Sequence, residues 1–168
     1  MIEKFLPEER FDFITPENKR FICAFTNALS DLGYTFGDAI GSGFCWGRYM
    51  LIFTKANVKT KKAVARIYIR DKDLVLRLFF SGVTKHAKYI SQAPDFIREV
   101  FVGPHAACKH CKGDRCKFQK TYDIDEIHYE KCNGRTFEFP RPDISRLDDY
   151  IRLFKEFYPV TGRGGSKV

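Results

Sequence analysis

The sequence predicts an α+β fold: an antiparallel sheet of four or more strands flanked by helices, with a zinc-clamped hairpin before the C-terminal helix. Three observations carry this. Apolar residues recur at helical spacing near both ends of the chain, they alternate with polar ones through its middle, and four cysteines gather in the segment 105–134. The length of 168 residues, 44% hydrophobic content and 17 phenylalanines suit one domain with a substantial core. That domain is expected over 1–160, followed by a disordered, Gly-rich basic tail at 161–168.

Thr15-Pro16-Glu17 marks the start of the first helix, with a capping hydroxyl, a proline at the first helical position and an acid at the positive helix end. Phe21, Phe25, Ala28, Leu29 and Leu32 fall on one face, and Gly33 stops the helix. Residues 34–40 read as a strand, Gly41-Ser42-Gly43 as a turn, and 44–55 as a returning strand with Trp46, Arg48, Met50 and Ile52 on one face. Strands at 63–70 and 74–81 follow, joined by the turn Asp71-Lys72-Asp73.

Beyond the sheet, a short helix is expected at 85–90 with Thr84 as its cap. A second begins at Pro94 and buries Phe96, Ile97, Val100 and Phe101 before Gly103 ends it. Residues 117–124 and 127–132 form a hairpin turning at Asp125-Glu126, and 136–139 adds a short strand. Asp143 caps the last helix, in which Ile144, Leu147, Ile151, Phe154 and Tyr158 keep helical spacing up to Pro159.

The first ten residues contain no apolar core of a signal peptide, and no run reaches the roughly 18–20 apolar residues of a membrane span. These features predict a cytoplasmic protein with no membrane partner. In a reducing compartment six cysteines are not disulfide staples. Cys23 and Cys45 read as small buried hydrophobes. The other four, Cys108, Cys111, Cys116 and Cys132, follow the pattern C-x2-C-x4-C-x15-C.

The two-residue gap between Cys108 and Cys111 lets two thiolates of one tight turn face the same ion, and Gly113 lets the backbone turn sharply behind them. Cys132-Asn133-Gly134 repeats the Cys-x-Gly feature. Four thiolates complete the tetrahedron of a structural zinc, and Lys109, Lys112, Arg115, Lys117 and Lys120 offset its negative charge. A Cys3His set, with His105, His110 or His128 replacing one cysteine, is the variant of this site.

His128-Tyr129-Glu130 beside a C-x2-C also evokes zinc deaminase chemistry, with Glu130 as acid and base. The order of the two motifs is reversed, however, and no proline precedes Cys108. A fourth thiolate also closes the position that a catalytic zinc keeps open for water. A zinc-dependent hydrolase or deaminase is therefore the alternative to a non-enzymatic binding module.

The formal charge of +8 favours anionic partners, with nucleic acid first and a protein second. Between Lys55 and Arg77 stand eight basic residues against two aspartates. Strand alternation gathers Arg66, Tyr68, Arg70, Arg77 and Phe79 on one sheet face, the composition of a stacking platform for single-stranded nucleic acid. The competing arrangement places a helix over the aromatic rings while the arginines reach its rim.

Overall fold

A computed structural model describes residues 1–104, 119–132 and 136–160. Its first helix, α1 (Pro16–Asp31), begins as its sequence dictates: the Thr15 hydroxyl accepts the Asn18 amide at 3.2 Å, and Pro16 opens the first turn. Phe21, Ile22, Phe25 and Leu29 are buried along one face, and Gly33 follows with φ of 83°.

The sheet comprises β1 (Tyr34–Thr35), β2 (Gly41–Ser42), β3 (Tyr49–Lys55), β4 (Ala63–Ile69), β5 (Leu74–Leu78) and β8 (Glu138–Pro140). Its order is β1-β3-β4-β5-β8, with β2 also paired to β3, and every pairing is antiparallel. Between β5 and β8 the chain forms α2 (Ala87–Gln92), α3 (Asp95–Val102) and a separate hairpin of β6 (Lys120–Ile124) and β7 (Ile127–Lys131). It ends in α4 (Leu147–Phe157), preceded by a 3-10 turn at Ile144–Arg146 whose first amides Asp143 caps, accepting Ser145 N at 2.7 Å.

The expected alternation holds in the two central strands. Ala65, Ile67, Ile69, Leu74, Leu76, Leu78 and Phe80 face one apolar core with α1, α3 and α4. That core extends from Ile2 to Phe154 and includes Ile2, Leu6, Phe11 and Ile14, an N-terminal arm that sequence periodicity did not reveal. The arm is built of 3-10 turns at Ile2–Lys4 and Glu9–Phe11, too short for a helical stripe to repeat.

Several expectations are corrected. The strand at 34–40 shrinks to two residues, because the Thr35 hydroxyl accepts Gly37 N and the chain turns through Gly37 and Asp38, both with positive φ. The returning strand starts at Tyr49 rather than at 44, since Phe44–Trp46 is a 3-10 turn. Thr84 caps no helix; its hydroxyl accepts Asp123 N at 3.0 Å and so ties the hairpin to the turn before α2. Cys45 is exposed and Cys23 half-buried, so neither is the fully buried hydrophobe anticipated.

The hairpin turns at Asp125-Glu126 as expected, with φ of 51° and 65°, the positive pair that a two-residue type I′ turn demands. Side chains dock it: the Tyr122 hydroxyl donates to Phe101 O at 2.7 Å, and Ser91 Oγ donates to Asp125 Oδ1 at 2.6 Å. Buried Lys131 Nζ donates to Gly103 O. These bonds hold the hairpin among the described residues. Cys108, Cys111, Cys116 and most of the segment 105–134 that precedes β6, like the tail 161–168, lie outside the described residues. Among the described residues no helix is long and apolar enough to cross a membrane.

Candidate anion-binding sheet face

The face of the sheet turned away from the main core is built by register. Arg66 on β4 stands opposite Arg77 on β5, which stands opposite Glu138 on β8; Ile52 on β3 completes the row. The next row is Met50, Tyr68, Val75 and Pro140. Met50, Tyr68 and Val75 form a second buried cluster, and Trp46 packs against it.

Tyr68 is 0% exposed. Its ring lies under that of Trp46, with centroids 5.6 Å apart and planes 16° from parallel, and its hydroxyl accepts Arg77 Nη1 at 3.4 Å. The expectation that Tyr68 offers an open stacking surface is therefore corrected: the position it would give a base is filled by the protein's own indole. The cover is a 3-10 turn rather than the helix that was the alternative. Arg70 Nε donates to Trp46 O at 3.1 Å and anchors that turn to the end of β4.

Arg77 is only 5% exposed. Its Nε donates to Thr136 O at 3.2 Å, and its guanidinium lies 4.7 Å from the Phe79 ring centre and 5.9 Å from that of Trp46. Arg66 lies near the same ring, 5.1 Å from the Phe79 centroid, so two guanidinium groups approach one half-buried phenylalanine. The five predicted residues thus do come together, but as two cation–aromatic layers closed at one end by Trp46.

Charge on this face is unbalanced. Two like charges directly opposite on antiparallel strands repel. Glu138 faces Arg77, whereas Arg66 makes no ion pair among the described residues, and its buried Nε has no hydrogen-bond partner there. Lys120 adds to the excess: its ammonium donates to Phe80 O at 3.0 Å, and its pKa is lowered by burial first and then by the charges of Lys62 and Arg77. Lys62 and Lys120 were not among the predicted binding residues. Lys62 lies inside the basic run, but the hairpin that brings Lys120 alongside is a tertiary relation with no local signal.

Of the predicted metal ligands, Cys132 alone is described, half-buried immediately after β7. Among the described residues no group of three or more His, Cys, Asp or Glu side chains is placed to hold a metal ion. His105 and His110 lie outside them. His128 is exposed on the hairpin, with Nδ1 2.7 Å from Asp123 Oδ1 and Nε2 3.9 Å from Glu130 Oε1. Glu130 is also exposed, and its Oε2 accepts Gln119 Nε2 at 3.0 Å.

A mixed-charge cavity of about 470 Å³ adjoins this face, lined among others by Arg70, Val75, Glu99, Lys131 and Glu138. Burial lowers the pKa of Lys131. Comparison with family models, curated proteins and solved structures finds no match to this chain.

Proposed function

We propose that the chain is a non-enzymatic, zinc-stabilised binding module that takes a phosphate-bearing partner, nucleic acid in the first place, on the sheet face of Arg66, Arg77 and Phe79. One observation carries the reading: Arg66 is set opposite Arg77, itself within the field of Lys62 and Lys120, and among the described residues it has no carboxylate partner and a buried Nε without a hydrogen bond. A fold that only needed a soluble surface gains nothing from a desolvated guanidinium N–H, which costs about 1–3 kcal/mol when left unmade. A phosphate held by the outer guanidinium N–H groups offsets the repulsion between the two arginines.

The zinc reading rests on the spacing of Cys108, Cys111, Cys116 and Cys132. In it the metal is structural, closing the segment that leads into the hairpin, and the hairpin in turn sets Lys120 beside the arginines.

The test uses the single tryptophan as reporter. Trp46 lies on Tyr68, whose hydroxyl Arg77 holds. Titration with a single-stranded oligonucleotide should change the indole emission saturably, and added salt should reverse the change. Emission that does not respond to oligonucleotide at low salt, with binding also absent by anisotropy, contradicts the proposal.

A further inference from the structure

The turn that covers Tyr68 carries a feature that covering does not require. Between Gly43 and Gly47 the chain runs Phe44-Cys45-Trp46. Trp46 turns inward onto Tyr68; Phe44 turns outward and is 80% exposed, more than any other large apolar residue of the described chain except Met1. Its ring makes no aromatic or cation contact among the described residues. Its backbone sits at φ of 51°, in the left-handed region that a side chain of this size rarely enters.

The turn is nevertheless tightly built. Gly43 N donates to Arg48 O at 3.1 Å, Trp46 N to Gly43 O at 3.0 Å, and Arg48 N to Ile69 O at 2.8 Å. The Ser42 hydroxyl accepts Phe44 N at 3.3 Å. A Cβ on Gly43 would meet Gly47 O at 2.2 Å, and one on Gly47 would meet Ile69 O at 2.7 Å, so both positions exclude every side chain. A glycine-bracketed, strained turn that holds a phenylalanine out into water is a cost to folding with no internal return. Such strain marks functional positions.

What adjoins the turn decides its partner. Arg70 is bonded to the turn at Trp46 O, Arg48 follows the turn and pairs with Asp71 at 3.3 Å, and the series Trp46, Tyr68, Arg77, Phe79, Arg66 leads from it to a guanidinium with no ion pair among the described residues. An exposed aromatic ring on a turn tied to a basic sheet face fits a base and its phosphates.

We infer that Phe44 is a stacking finger for a base of single-stranded nucleic acid whose phosphates lie along Arg70 and Arg66. The inference rests on the proposed function and names the group that takes the base in place of the covered Tyr68.

The experiment compares two probes by anisotropy: a short oligothymidylate, and an abasic strand of the same length with the same phosphates and no bases. Wild type should bind the oligothymidylate more tightly. Phe44→Ala should weaken oligothymidylate about 5- to 150-fold, the span of one base–aromatic contact, and leave the abasic strand unchanged. Phe44→Trp should retain binding.

Phe44→Gly, which relieves the positive φ, should raise the melting temperature while losing the same affinity, so the loss cannot be assigned to misfolding. Unchanged oligothymidylate affinity in Phe44→Ala, with both probes still weakened by Arg66→Ala, overturns the finger and leaves the face intact. Equal losses on both probes overturn it too, as a structural effect. If wild type binds neither probe, the proposed function fails and the finger with it.

Discussion

Trp46 lies face to face on Tyr68 at 5.6 Å between ring centres, and this contact turns an aromatic that would be open on a bare sheet into a buried one. Trp46→Ala should cost about 1–3 kcal/mol, combining lost apolar burial with the loss of an offset-stacked pair. Trp46→Phe should recover most of it. Thermal melts of the two variants measure the difference.

The β6–β7 turn stores strain that can be removed. Asp125 and Glu126 both have positive φ, but Asp125 also accepts a hydrogen bond from Ser91, whereas the side chain of Glu126 is exposed. Glu126→Gly should therefore stabilise the protein by roughly 0.5–1 kcal/mol, the left-handed penalty less the extra chain entropy of glycine. Asp125→Gly should gain less, because it loses the Ser91 bond. Denaturant midpoints at constant slope check both.

How far the fold was legible follows from how local its causes are. Thr15-Pro16, the alternation from Ala63 to Phe80, and the Asp125-Glu126 turn are determined within a few neighbours, and each forms where the sequence places it. The N-terminal arm and the cover over Tyr68 depend on distant partners, so pattern alone missed them. For the turn a signal was present: Gly43 and Gly47 bracket Phe44-Cys45-Trp46 as they would a built loop, and reading 44–55 as one strand passed over it. The gathering of Arg66, Tyr68, Arg70, Arg77 and Phe79 was legible, since strand period two dictates it; which of them would be open was not.

Purified, reduced protein should carry about one zinc per chain. Cys111→Ser and Cys132→Ser should each release it and lower the melting temperature, because structural metal binding is folding free energy. Cys45→Ser, at an exposed position, should keep the metal. Glu130→Gln alters only exposed contacts, the bond from Gln119 and the approach of His128, and should shift stability by less than about 0.5 kcal/mol. Metal analysis finding no zinc, with folding indifferent to chelator, contradicts this part of the account.

Alkali should unfold the protein through its buried phenols. Burial, then the neighbouring Tyr34, pushes the Tyr158 hydroxyl up to about 12, and burial raises Tyr122 further. Folded pKa values above the ordinary phenol value near 10 mean that the folded state holds these protons more tightly. The stability they contribute is complete below pH 10 and declines as pH rises toward 12. Tyr158→Phe, which also loses the hydroxyl's bond to Phe79 O, should be less stable at neutral pH yet show a shallower loss above pH 10. Melts across that range measure the slope.

The central claim is that Arg66, which makes no ion pair among the described residues, takes a phosphate, and the salt dependence of oligonucleotide binding tests it most directly. The logarithm of the association constant should fall linearly with the logarithm of salt concentration in wild type. Arg66→Ala should weaken binding and make that slope shallower by about one unit, while removal of the exposed Lys88 on α2 should change neither. A slope identical in wild type and Arg66→Ala, or no binding to oligonucleotide at low salt, would contradict the account.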